Sequence, residues 1–175
     1  MKPSAILTAD WHIRGTVPAC RKDDYIKAMW NKIEFILDKA RTYGCPVLIA
    51  GDLGDKPEWR NEDLYRFVSL INQYQVKIYC VPGQHDLPHH KADEFWKSGM
   101  GVLSAAKSIK VIGDGHFEDR QVGVAITGCW HSCSPHLAPQ GRIHGDSKRK
   151  KILLMHKMVT NGEDLYPGQN ADSAL

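Results

Sequence analysis

The chain has 175 residues, 42% of them hydrophobic and 25% charged, which suits one globular domain over residues 1–175 and excludes a fibrous or low-complexity chain. Its net charge of +3 is too small to point to nucleic acid on electrostatics alone. The one basic run, Lys148-Arg149-Lys150-Lys151, is short enough to be a solvated start to a strand.

"SAILTAD" is a short apolar run ending in polar residues, as a buried strand does. "KDDYIKAMWNKIEFILDKARTYG" places Tyr25, Ala28, Met29, Ile33, Ile36 and Leu37 at helical spacing, with acids early, Lys39 and Arg41 late, and Gly44 as the stop. "PVLIAGD" is a second buried strand, and "NEDLYRFVSLINQY" a second helix capped by Asn61 or the residue before it. "VKIYCVPG" is a third strand and "KADEFWKSG" a short helix. "KSIKVIG", "GVAITGCW" and "KKILLMH" read as further strands. "GDGHFEDR" and "PGQ" are glycine-containing turns without P-loop spacing. "SCSPHLAPQGRIHGDSKRK" lacks periodicity and reads as a long loop, and the final "NADSAL" as the start of a helix. Alternating strands and helices predict a layered α/β domain, parallel in its first half and antiparallel or mixed after residue 108.

Five cysteines, Cys20, Cys45, Cys80, Cys129 and Cys133, are an odd number, and Cys45 and Cys80 lie beside apolar runs. That pattern fits reduced thiols and a cytoplasmic protein rather than a disulfide framework. Cys129 and Cys133 are the one close pair and lack a second pair to close a zinc site. The opening "MKPSAILTADWH" has too short an apolar stretch for a signal peptide, and no segment reaches membrane-spanning length.

Polar residues gather where strands end. The first strand runs into Asp10-Trp11-His12, the second into Gly51-Asp52 with Asp55 close behind, the third into Gly83-Gln84-His85-Asp86, and a late strand into His156. Ligands of open α/β sheets collect beyond the carboxyl ends of the strands. Carboxylate, imidazole and carboxamide donors without thiolate suit divalent ions such as Mn²⁺, Fe²⁺ or Zn²⁺. Paired ions ~3.5–4 Å apart are a device for phosphoryl hydrolysis, and Asp52, at a central strand end, is the natural bridge. Each motif alone is weak. Four in order, each directly after an apolar strand, are not readily explained as polar turns.

From "TADWH" through "AGDLGD" and "VPGQHD" to "LLMH", the chain resembles the calcineurin-like metallophosphoesterase family, a β-sandwich flanked by helices. It is most similar to SbcD-type DNA exonuclease subunits and their phage-encoded relatives. The resemblance implies one ion on Asp10, His12 and Asp52, and a second on Asp52, Gln84 and His156, with Mn²⁺ foremost. It implies that His85, held by Asp86, faces the substrate phosphate as general acid or charge stabiliser, and that Asp55 orients neighbouring ligands. It also implies DNA as substrate and an ATPase partner of the SbcC type.

Two departures stand out. Gln84 replaces the family's usual Asn, keeping a carboxamide oxygen on a longer arm. The closing Gly-His-x-His motif is absent after His156, so the chain is expected to lack the C-terminal part of the domain or to be naturally short, each ion then being one ligand poorer. His131 follows a strand and is placed to approach the site, but it, His136 and His144 read as solvent-exposed loop residues rather than as replacement ligands. His89 and His90 could touch substrate. Two other functions share these residues. One is a phosphodiesterase or phosphatase for small substrates, distinguished by the loop from Ser132 to Ser147. The other is a non-catalytic binding module of the same fold. The absent motif favours the module; intact Asp10, His12, Asp52, His85 and His156 count against it.

Overall fold

A computed structural model describes residues 2–113, 115–119, 124–130, 150–157, 159–160 and 172–173. Its first sheet is parallel, in the order β1 (Ile6–Thr8), β2 (Val47–Ala50), β3 (Ile78–Val81) and β4 (Lys110–Val111). Alternation along these strands sorts their side chains between two cores. Val47, Ile49, Ile78 and Cys80 join one hydrophobic cluster, and Leu48, Tyr79 and Val81 join another.

The first cluster is closed by α1 (Tyr25–Tyr43), α2 (Asn61–Tyr74) and α3 (Gly99–Ala105), through Trp30, Ile33, Leu37, Phe67 and Met100. Asp24 caps α1 by accepting a hydrogen bond from the Lys27 N–H, and Gly44 ends it at φ 59°, where the left-handed turn favours a residue without Cβ. Arg60 precedes α2 without a side-chain cap; its guanidinium donates instead to Asp63 at 2.9 and 3.1 Å.

The second cluster packs the other face of the parallel sheet against Ile126 and Leu154 of a three-stranded sheet. That sheet holds β5 (Gly115–Asp119), β6 (Val124–Cys129) and β7 (Lys150–Met155). β5 and β6 are antiparallel, β6 and β7 parallel. The molecule is therefore helices on sheet on sheet, the layered α/β sandwich expected, with the mixed second half expected.

Three expectations are corrected. "GHFED" is strand β5, not a turn, because it pairs with β6 over its whole length. The expected helix at "KADEFWKSG" is a tighter 3₁₀ segment, Ala92–Lys97, and the α-helix begins after it, at Gly99, with Ser98 as its cap. Asp172–Ser173, read as the start of a helix, pairs as β9 with β8 (Val159–Thr160). The loop from Ser132 to Ser147, with His136 and His144, lies outside the described residues, as do His131 and Cys133. Cys45 and Cys80 are buried. Among the described residues no helix is long and apolar enough to cross a membrane.

Candidate metal centre

Beyond the carboxyl ends of β1 and β2 the two chains stay paired. The N–H groups of Asp10, His12 and Ile13 donate to the carbonyls of Gly51, Asp52 and Leu53 at 3.1, 3.0 and 2.9 Å. Along this segment Trp11 and Ile13 are buried. The Trp11 ring meets Phe67 edge-on at 6.3 Å and its Nε1–H donates to Thr8 Oγ1 at 2.9 Å. Anchoring Trp11 in the core turns Asp10 and His12 to the outer side. Asp10, His12 and Asp52 have φ of 55°, 45° and 52°, left-handed backbone that non-glycine residues adopt at a cost and that gathers at functional sites.

Asp52 is the hub. It is buried, 1% exposed, and its Oδ2 lies 3.3 Å from His156 Nε2, 3.9 Å from His12 Nε2 and 4.0 Å from His85 Nε2. Its Oδ1 accepts the His85 backbone N–H at 3.0 Å. Asp10 Oδ1 stands 3.8 Å from His12 Nε2. Two donor sets, His12–Asp52–His85 and Asp10–Asp52–His156, each bring their ligand atoms within 4.8 Å of one another. They share Asp52. By these distances Asp10 groups with His156, and His85 with His12, around the Asp52 carboxylate that the resemblance makes common to both ions. Gln84 opens the same turn as His85, its carbonyl 3.1 Å from His90 Nδ1.

These residues fit divalent cations. The His12 ring faces two carboxylates at more than hydrogen-bond distance, and its Nδ1 is buried with no partner, so no hydrogen bond accounts for its placement. His156 Nδ1 is 2.7 Å from the Ala50 carbonyl. A carbonyl only accepts, so Nδ1 carries the proton and Nε2 is left to face Asp52, the arrangement a ligating imidazole needs.

Electrostatics follow from this packing. Burial works against ionisation of Asp52, but the hydrogen bonds from His156 and the His85 N–H, with the charges of both rings, outweigh it and hold the carboxyl below its ordinary range. The Asp52 hydrogen bond raises His156 from 6.5 to about 9, against the opposing effect of burial.

His85 and Asp86 are arranged differently from expectation. The buried Asp86 carboxylate does not hold the His85 ring. It accepts three backbone N–H groups, Gly54 at 2.9 Å, Gly83 at 3.0 Å and Leu53 at 3.2 Å, and so clamps the second and third motif loops together. Burial raises its pKa, opposed by those three bonds. The His85 ring instead points Nδ1 at the Asp55 carbonyl, 3.0 Å away, and packs edge-on against His12 with centroids 5.0 Å apart. The Asp55 carboxylate pairs with Arg14. Sequence reasoning missed Arg14, although a period-two signal was available: Asp10, His12 and Arg14 alternate with the apolar Trp11 and Ile13.

Two glycines leave room for the site's own side chains. Gly51 has φ 84°, and a Cβ there would overlap the His156 ring; a Cβ on Gly83 would overlap Asp52.

The family model for calcineurin-like phosphoesterase matches residues 4–170. Among solved structures, TT1561 of Thermus thermophilus superposes at a TM-score of 0.52 with 13% identity, over 89% of this chain and 68% of that one. A second solved structure is more distant, at a TM-score of 0.42 and 14% identity over 71% of this chain and 51% of the other. No curated protein matches.

Proposed function

This chain belongs to the calcineurin-like phosphoesterase family, and from its metal-dependent phosphoester hydrolysis we propose a narrower activity, cleavage of DNA phosphodiesters with two divalent ions, Mn²⁺ foremost. The observation that carries the hydrolytic reading is the shared Asp52 carboxylate, with His12, His85 and His156 within 4.0 Å of one oxygen. The choice of DNA rests on the motifs "TADWH", "GDLGD" and "VPGQHD", which resemble SbcD-type nucleases. An SbcC-like ATPase is the partner that resemblance suggests.

Bound divalent ions supply positive charge to phosphoryl oxygens and acidify attacking water. The protein's own residues do the rest. Asp52, buried and ionised, presents one carboxylate to both donor sets. His156 is aimed by its Nδ1–H bond to Ala50. His85, with 44% of its side chain exposed, is open to substrate; with Nδ1–H on the Asp55 carbonyl, its protonated ring directs Nε2–H to the phosphate or to the departing oxygen.

The test is Mn²⁺-dependent cleavage of end-labelled linear DNA, with the His85→Ala protein alongside. Cleavage needing both Mn²⁺ and His85 is the expected result. Turnover of a small aryl phosphodiester without DNA cleavage would overturn the nuclease reading and favour a small-substrate phosphodiesterase. No hydrolysis of either substrate by a folded, Mn²⁺-loaded chain would favour the non-catalytic module.

A further inference from the structure

The geometry points to Arg14 as the positioning residue for His85, acting through Asp55. Its consequence for turnover rests on the reading of His85 given above, but its structural content does not.

Three observations converge. First, the hydrogen bond described for the His85 ring is Nδ1 to the Asp55 carbonyl at 3.0 Å, because Asp52 Oδ2 at 4.0 Å is too far to hold Nε2. The position of that carbonyl therefore sets the ring and its tautomer. Second, Asp55 is held from the first motif loop: its N–H donates to the Ile13 carbonyl at 3.2 Å and its carboxylate pairs with Arg14. Third, the Arg14 Nε is buried with no hydrogen-bond partner, an arrangement that costs free energy. The side chain is therefore held by its ion pair with Asp55 rather than by a hydrogen bond at Nε.

The chain of contacts runs Arg14, Asp55, His85. A neutral imidazole bonded to a carbonyl carries its proton on Nδ1, which leaves the Nε2 lone pair toward Asp52 and the metal centre. In the protonated ring the same carbonyl stabilises the cation while Nε2–H points at substrate. Without the Arg14 clamp, Asp55 keeps only its N–H bond to the Ile13 carbonyl, its own carbonyl gains freedom to shift, and the preference for one ring tautomer weakens. Arg14 itself need touch neither substrate nor metal.

The experiment reads the tautomer directly. Long-range ¹H–¹⁵N correlation spectra of the metal-free, ¹⁵N-labelled protein are recorded at alkaline pH, with His85 assigned by its loss in His85→Ala. The wild-type ring is expected as the Nδ1–H form. Arg14→Gln should give a mixture of tautomers, and Arg14→Lys, which keeps a cation for Asp55, should restore the wild-type pattern at least in part. In Mn²⁺-dependent hydrolysis, Arg14→Gln should lower kcat by about 10–100-fold, the scale of a small misplacement of a catalytic group, with Mn²⁺ affinity and KM within about twofold of wild type. Should Arg14→Gln fail to fold, Asp55→Asn removes the ion pair while keeping the carbonyl and should mix the tautomers equally. An unchanged Nδ1–H tautomer in the folded variant would overturn the inference. Absence of hydrolysis by wild type would sink the functional reading while leaving the tautomer result to stand or fall separately.

Discussion

Oδ2 of Asp52 and Nε2 of His156 lie 3.3 Å apart, with the far side of the imidazole fixed to the Ala50 carbonyl. In the metal-free protein this is a proton-sharing pair, and the proton competes with the cation. His156 is raised from 6.5 to about 9 by Asp52, so its contribution to stability is complete below pH 6.5 and disappears as pH rises through about 9. Asp52, lowered from 3.8, contributes above that value and loses its contribution as pH falls below it. The metal-free fold should therefore lose stability as pH rises from 6.5 through about 9, and Mn²⁺ affinity should rise over the same range as His156 gives up its proton. Thermal unfolding with and without Mn²⁺ across that range checks both. A melting temperature flat in pH without metal would mean the pair is not charged.

Gly51 and Gly83 predict a sharper loss than ordinary glycine substitutions. Gly83→Ala forces a methyl group onto Asp52, and Gly51→Ala meets the His156 ring at a φ of 84°. Neither clash falls in the helix-side core, which contains Phe67, Trp30 and Ile49. Each variant should keep its far-ultraviolet circular dichroism while losing Mn²⁺ binding in calorimetry by at least about tenfold, a misplacement effect on ligands. Wild-type affinity in Gly83→Ala would show that Asp52 can move without consequence.

How much of this was legible beforehand depends on whether the signal was local. The parallel sheet and first two helices could be read because the apolar run Val47-Leu48-Ile49, the helical spacing of Met29, Ile33 and Leu37, and the Gly44 end of α1 are short-range features. The motif residues could be read because each follows an apolar strand. Strand β5 could not, since "GHFED" has no apolar alternation and is made a strand by its partner β6. Helix α3 was hidden by Gly99 and Gly101 in its first turn, residues that disfavour helix unless tertiary packing overrides them. The role of Asp86 was equally hidden, because two of its three donors lie 32 and 33 residues away.

Metal loading and chemistry should separate between Asp52 and His85. Asp52→Ala removes the carboxylate common to both donor sets and should abolish binding at both. His85→Ala keeps the backbone N–H that bonds Asp52 Oδ1 at 3.0 Å, so binding should stay close to wild type while hydrolysis falls by about 10²–10⁴-fold, the scale of general-acid catalysis. Mn²⁺ titrations of both variants decide this. A collapse of affinity in His85→Ala would make His85 a ligand, as its grouping with His12 and Asp52 geometrically permits.

Asp86 is the last test, because it separates a catalytic contribution from a structural one. Its Oδ2 accepts from Leu53 and Gly83, and its Oδ1 from Gly54. The acceptors bind the loop carrying Asp52 to the loop carrying His85. Asp86→Asn keeps the shape but turns one acceptor into an NH₂ donor facing a backbone N–H, leaving at least one buried amide unsatisfied at a cost of about 1–3 kcal/mol. For a chain of this size each kcal/mol lowers Tm by about 2–4 °C, so a drop of several degrees is expected. Mn²⁺ affinity should fall with it, since both loops carry residues of the donor sets. His85→Ala, which removes no contact of Asp86, should leave Tm almost unchanged. A stable Asp86→Asn protein with full Mn²⁺ affinity but impaired hydrolysis would instead place Asp86 with His85 in the chemistry.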